Sequence, residues 1–207
     1  MSIHAPHYPY AASAHQPLRR RGETLERAIF DAVLNELCEG GYEAVTMEGV
    51  AARAHTGKAA LYRRWESKAH LIVDVIEHCL LPLVEPPDTG RVRDDLFVML
   101  KRLAALFNSP AGSCVSTMTS NRTHDRTFRD LCQERVVEPH RRAQLEVFQR
   151  GIKRGEVRPD VPLDLVAEIG PSLILKHFLA DGPPVPNAFV ASIVDELVMP
   201  ILRTRDC

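Results

Sequence analysis

A cluster of positive charge between residues 53 and 68 is the part of this sequence best suited to binding a polyanion. The 207-residue chain carries 26 Lys and Arg against 27 Asp and Glu, a formal net charge of -1. Within this segment only Glu66 is acidic, and the five cations are Arg53, Lys58, Arg63, Arg64 and Lys68. A local basic face within a neutral chain predicts contact with phosphates on one side, and it argues against a protein that coats nucleic acid with its whole surface.

The small residues of the same segment favour close approach to a duplex. Gly57, Ala59 and Ala60 leave the start of the predicted helix 58–65 narrow enough to come near base edges in a major groove. Tyr62 adds a hydroxyl that can meet a phosphate. Charge alone would be equally compatible with a solvated basic helix face that binds nothing.

The periodicity of apolar residues predicts the helices that would hold this segment. Spacings of three and four from Leu25 to Leu37 predict a helix that Gly40 and Gly41 end. Thr46 is placed as the N-cap of a short second helix, and Ser67 as the N-cap of a fourth. Two short helices joined by a tight turn, preceded by a longer helix, are typical of a helix-turn-helix that reads DNA.

The rest of the chain also follows a helical period, with segments near residues 96–107, 128–152, 163–179 and 189–202 and no strand period. We therefore predict an all-α fold of about nine helices. The predicted parts are a disordered tail (1–18), a three-helix helix-turn-helix DNA-binding domain (19–66) and a larger helical domain for effector binding and dimerisation (67–207).

The run TMEGVAARAHTGKAALYRRWESKAHLI, from Thr46 to Ile72, resembles the helix-turn-helix of the TetR family of transcriptional regulators. The resemblance covers about 50 residues from Leu25. It implies that side chains reach bases from Lys58, Ala59, Ala60 and Arg63, and that phosphates are met by Thr46, Tyr62, Arg64 and Lys68. His55 stands at a turn position where the family usually has glycine, so a positive φ is expected there.

In the second half the resemblance rests on layout and on the run from Arg154 to Asp160, RGEVRPD. It implies a homodimer on a palindromic double-stranded operator and a largely apolar small-molecule effector that releases a repressor. The expected pocket residues are Met99, Leu103, Phe107, Met118, Phe128, Leu131, Phe148 and His177, all of which could equally be core or surface residues. The expected dimer face contains Leu165, Ile169, Leu173, Phe189, Ile193, Leu197 and Leu202, and packing within one subunit explains about half of them equally well.

Other classes of protein find little support. The sequence has no Gly-rich phosphate loop, no Gly-x-Ser-x-Gly and no His-Glu-x-x-His, so we expect no enzyme, no cofactor and no metal site. No apolar stretch approaches the ~18 residues of a membrane span, so a cytoplasmic protein is expected. A helical binding or adaptor protein that has lost its operator stays open as an alternative.

The five cysteines do not form a recognisable motif. Cys38, Cys79, Cys114, Cys132 and Cys207 are odd in number, scattered and never in a Cys-x-x-Cys pair. We therefore expect reduced thiols packed in helices rather than a disulfide framework.

Overall fold

The computed structural model describes residues 17–80, 85–109 and 125–203, which are helical and contain no β-strand. This confirms the predicted all-α class. None of the described helices combines the length and the apolar character that a membrane crossing would require. Residues 1–16 of the predicted tail lie outside the described ranges, whereas Pro17 and Leu18, which the prediction placed in that tail, belong to the first helix.

The helices follow one another with short connections. The first four are α1 (Pro17–Ala44), α2 (Met47–Arg53), α3 (Lys58–Tyr62) and α4 (Lys68–Val75), the last extended by a π-helical turn, Ile76–Leu80. Then come α5 (Val92–Phe107), α6 (Arg126–Cys132), a π-helical turn (Gln133–Val137) and α7 (Glu138–Arg154). The chain continues with α8 (Leu163–Asp181), α9 (Asn187–Ser192), a third π-helical turn (Ile193–Val198) and α10 (Met199–Leu202).

Local signals in the sequence fix the ends of the first helices. Gly41 has φ 72° and interrupts α1, as the Gly-Gly pair predicts. Thr46 is the N-cap of α2, and its hydroxyl accepts a hydrogen bond from the Gly49 N–H at 3.0 Å. His55 has φ 50°, so the positive φ expected in the turn is confirmed. These three features set the directions of α2 and α3.

Two apolar clusters form the interior. The first is built from α1 to α4, with Leu37, Leu61 and Ile72 fully buried, and it includes Phe128 of α6. The second is built from α5, α7, α8 and the last helices, around side chains such as Phe148. The helix α6 therefore packs with the first cluster, although it follows α5 in the chain.

A buried carboxylate fixes the start of α5. Asp95 is completely buried, and its Oδ1 accepts hydrogen bonds from the N–H and the hydroxyl of Thr89, at 2.7 and 2.8 Å. Its Oδ2 lies 4.0 Å from the Arg154 guanidinium at the end of α7. Glu156 accepts from the Val92 N–H at 2.8 Å. Because a buried charge must be compensated, these contacts hold α5 and the end of α7 in one register.

The expectation of reduced cysteines is wrong for Cys38, which is disulfide-bonded. Cys132 on α6 carries a free, half-buried thiol, and burial raises its pKa to about 12. A thiol with so high a pKa is a poor nucleophile near neutral pH. The side chains of Cys79, Cys114 and Cys207 lie outside the described part of the chain.

Tyr42 joins α6 to the first cluster. Its hydroxyl donates to Asp125 Oδ2 at 2.5 Å, and its ring lies 4.4 Å from that of Phe128, centroid to centroid. Asp125 is also the N-cap of α6, since its Oδ1 accepts from the Phe128 N–H at 3.0 Å. The Tyr42 hydroxyl lowers the pKa of Asp125 below its ordinary value of 3.8.

Replacing Tyr42 by Phe should lower the free energy of unfolding by about 1 kcal/mol at pH 7, because the hydrogen bond to an ionised carboxylate is lost. A lowered folded-state pKa contributes stability above the ordinary pKa, and this contribution is lost as the pH falls through the folded value. The difference between wild type and Tyr42→Phe should therefore narrow between pH 5 and pH 3. Urea unfolding at both pH values measures it. A gap of constant size would show that Asp125 does not titrate against Tyr42.

Candidate nucleic-acid interface

The short helix α3 is held by two anchors on one side. Leu61 is completely buried, and Trp65, just after the helix, is 5% exposed. The opposite side carries the exposed side chains of Lys58, Tyr62 and Arg63. Burial of the two anchors thus fixes the rotation of α3 and leaves its basic side facing solvent, where a duplex could reach it.

Trp65 is connected by polar contacts to the helices behind it. Its indole N–H donates to Asp74 Oδ2 of α4 at 2.7 Å. The other oxygen of Asp74 accepts from the Arg135 guanidinium at 2.6 Å, and Arg135 also contacts Glu77. A single carboxylate therefore bridges the anchor of α3 and the π-helical turn that leads into α7.

Carboxylates pair with four of the five cations. Arg53 makes a two-point contact with Glu39 at 2.7 and 2.8 Å. The other pairs are Arg64 with Glu26 at 3.1 Å, Lys68 with Glu43 at 3.9 Å, and Lys58 with Glu48. Among the described residues Arg63 has no ion-pair partner. Sequence analysis missed these carboxylates, because three of them lie on α1, at least 14 residues away.

The pairing affects the ionisation of both partners. The hydrogen bond from Arg53 lowers the pKa of Glu39, and that from Lys58 lowers the pKa of Glu48. The Glu48 carboxylate in turn raises the pKa of Lys58. These groups therefore stay charged at neutral pH.

The residues expected to meet phosphates differ in how far the fold already uses them. Lys68 is 27% exposed, donates to the Tyr42 carbonyl at 3.2 Å and lies 4.4 Å from the centre of the Tyr42 ring. Thr46 is exposed, but its oxygen already accepts the Gly49 N–H. Tyr62 is 48% exposed, with Lys58 5.5 Å from its ring centre. Lys68 therefore supports the fold as well as facing solvent.

The structure does not bring the expected pocket residues into one group. Met99, Phe107 and Phe148 are buried in the second cluster, and Leu103 packs against it. Phe128 and Leu131 belong instead to the first cluster. His177 pairs with Asp181 at 3.1 Å and stacks on Phe189, while Met118 lies outside the described residues.

The expected dimer residues divide into exposed and buried groups. Leu165 is 70% exposed and Leu197 46%, whereas Ile169, Leu173 and Phe189 are half-buried. Ile193 and Leu202 are completely or almost completely buried in their own subunit, so the prediction is corrected for these two, which have no surface to offer a partner. A shallow groove on α8 is lined by Ser172, Leu175, Lys176, Leu179 and Ala180.

A helix-turn-helix with an exposed basic second helix, carried by an all-helical body, defines a DNA-binding transcriptional regulator. The comparisons with known proteins agree. Residues 29–75 match the family described as bacterial regulatory proteins, tetR family, and residues 86–197 match the tetracyclin repressor-like C-terminal domain. This chain belongs to the TetR family of transcriptional regulators.

Relatives of this chain are regulators along nearly their whole length. It is 30% identical over 184 residues to the DNA-binding transcriptional repressor TetR of Mycobacteroides abscessus, covering 88% of this chain and 96% of the relative. It is 31% identical to an HTH-type transcriptional regulator of Mycobacterium tuberculosis, covering 86% and 87%. The crystal structure of a TetR family transcription regulator superposes with a TM-score of 0.66 at 25% identity, covering 84% and 96%.

Replacing Asp74 by Ala should lower the free energy of unfolding by about 1–3 kcal/mol, because it leaves the Trp65 N–H and Arg135 without their shared acceptor. Trp65 is the only tryptophan of the chain, so its fluorescence emission should shift to longer wavelength as the anchor loosens. Glu77→Ala is the matched control, since it removes only the second partner of Arg135. Equal emission spectra for both variants would mean that Asp74 does not hold the anchor.

Proposed function

We propose that this chain represses transcription as a homodimer bound to a palindromic operator, and that a largely apolar small molecule releases it. The observation that carries the proposal is the solvent-facing basic side of α3, fixed by Leu61 and Trp65. Such a protein acts in the cytoplasm, where it meets bacterial DNA, and its task includes no catalytic step.

Contacts to DNA are assigned by side-chain type and position. Lys58, Ala59, Ala60 and Arg63 would lie against base edges, where Lys and Arg donate to guanine and alanine methyl groups contact thymine. The phosphate contacts come from Thr46, Tyr62, Arg64 and Lys68. Phosphate binding requires Arg64 and Lys68 to exchange their carboxylate partners for phosphates. Exposed ion pairs contribute only about 0–1 kcal/mol each, so this exchange is inexpensive.

The exposed leucines of α8 and of the last helical segment support the homodimer. Leu165 and Leu197 are large apolar side chains open to solvent, and Leu179 is 46% exposed. Pairing with a second copy around a two-fold axis would cover them. The two recognition helices of such a dimer would meet successive major grooves about 34–36 Å apart, which predicts a palindromic site.

The effector would bind beside the second apolar cluster and bias the position of α6. The crystal structure of FadR from Bacillus subtilis, which superposes with a TM-score of 0.70 at 15% identity and covers 83% of this chain and 97% of its own, is a complex with stearoyl-CoA. At that identity the likeness concerns the fold, and it supports a large apolar ligand here only by analogy. Effector and operator then oppose each other through the same coupling free energy, about 1–3 kcal/mol.

Replacing Lys68 by Ala should weaken binding to all duplexes alike and reduce the slope of log affinity against log salt by about one, because one phosphate contact is lost. Fluorescence anisotropy titrations at several salt concentrations measure this. Lys153→Ala, on the exposed last turn of α7, removes the same charge and should leave the slope unchanged. Because Lys68 also contacts Tyr42, unfolding of the variant is followed in parallel. A wild-type slope in a folded Lys68→Ala protein would remove Lys68 from the interface.

Replacing Leu165 by Glu should weaken the dimer about tenfold or more, because an unpaired charge would be buried in the interface. Sedimentation velocity across a dilution series measures the dissociation constant. Val137→Glu is the matched control, since Val137 is 42% exposed on a different segment and should not touch the partner. Equal dissociation constants for Leu165→Glu and wild type would place the interface elsewhere.

A further inference from the structure

The ion pair between Lys58 and Glu48 differs in position from the other three. Glu26, Glu39 and Glu43 all lie on α1, which stands behind the helix-turn-helix. Glu48 lies in the first turn of α2, and its Oε1 accepts a hydrogen bond from the Lys58 ammonium at the start of α3. Both side chains are open to solvent, with 63% of Glu48 and 49% of Lys58 exposed. The pair therefore joins the two short helices on the side of α3 that faces outward.

A carboxylate at this position limits which bases it can face. Near a duplex it meets phosphates, which repel it, and base edges. In the major groove hydrogen-bond donors are offered only by cytosine N4 and adenine N6. Glu48 would oppose binding unless one of these amino groups lies opposite, so it can reject sites as well as select them.

The hydrogen-bonding pattern of the pair matches one base pair in particular. The Lys58 ammonium has three N–H donors and uses one on Glu48, which leaves two for a base. The second oxygen of Glu48 is not used by Lys58. Two donors beside one acceptor complement the major-groove edge of a G·C pair, where guanine N7 and O6 accept and cytosine N4 donates. Guanine O6 and cytosine N4 are neighbours in that edge, as the ammonium and the carboxylate are here.

We infer that Glu48 and Lys58 together read one G·C base pair of the operator, with Lys58 donating to guanine O6 and N7 and Glu48 accepting from cytosine N4. The inference rests on the proposed placement of Lys58 against base edges. It adds Glu48 as a specificity-determining residue, which the resemblance to the family does not supply.

Selection of binding sites from random duplexes, carried out in parallel with wild type, Glu48→Gln and Lys58→Ala, tests the pair. Wild type should require G·C at one position of each half-site, and both variants should lose about tenfold discrimination at that same position. Glu39→Gln is the matched control, because it also frees a cation, Arg53, by removing one negative charge. That control should retain the wild-type consensus while binding all duplexes somewhat more tightly.

Three results would overturn the inference. If Glu48→Gln retains the wild-type consensus and only gains affinity for every duplex, as the control does, Glu48 is merely an electrostatic brake. If Glu48→Gln and Lys58→Ala alter different positions, or the shared position prefers A·T, the pair does not read G·C. If wild type enriches no sequence at all, the placement of α3 in the groove fails, and the inference fails with it.

Discussion

Anchoring of α3 is the constraint on which the rest of the structure depends. A helix of five residues is not stable by itself in water, because so few hydrogen bonds do not offset its nucleation. Burial of Leu61 and Trp65 supplies the missing stabilisation, and the Trp65 N–H adds a hydrogen bond to Asp74. The same two anchors decide which side chains point outward. Stability and the orientation of the basic face are therefore set by the same contacts.

The basic face is strongly charged in sequence but locally balanced in the folded protein. Carboxylates from α1 and α2 stand beside Arg53, Lys58, Arg64 and Lys68, which reduces repulsion between the cations. Each exposed pair is weak, so phosphates can replace the carboxylates when a duplex arrives. Because non-specific affinity grows with the number of phosphates neutralised, such pairing lowers the affinity for DNA that offers only phosphates. It leaves base contacts a larger share of the discrimination.

The sequence predicts features whose cause lies within one or two turns. The capping role of Thr46, the break at Gly41 and the positive φ of His55 were predicted because each depends on neighbouring residues alone. Apolar periodicity likewise identified the helices, but it shows only that a face is buried and not what covers it. Phe128 therefore could not be assigned to the first cluster, nor Leu202 to the core of its own subunit. The ion pairs with α1 depend on how that helix passes behind α2 and α3, which no local pattern encodes.

The position of α6 explains how a signal from the effector domain can reach the DNA-binding face. Two contacts tie this segment to the first cluster, one at Asp125 and one at Arg135. Ten residues of helix separate them by about 15 Å, so a rotation of the segment displaces at least one contact. Arg135 binds the carboxylate that also accepts the Trp65 N–H. A shift of Arg135 therefore acts directly on the anchor of α3, and the recognition helix cannot keep its orientation unless Asp74 keeps both partners.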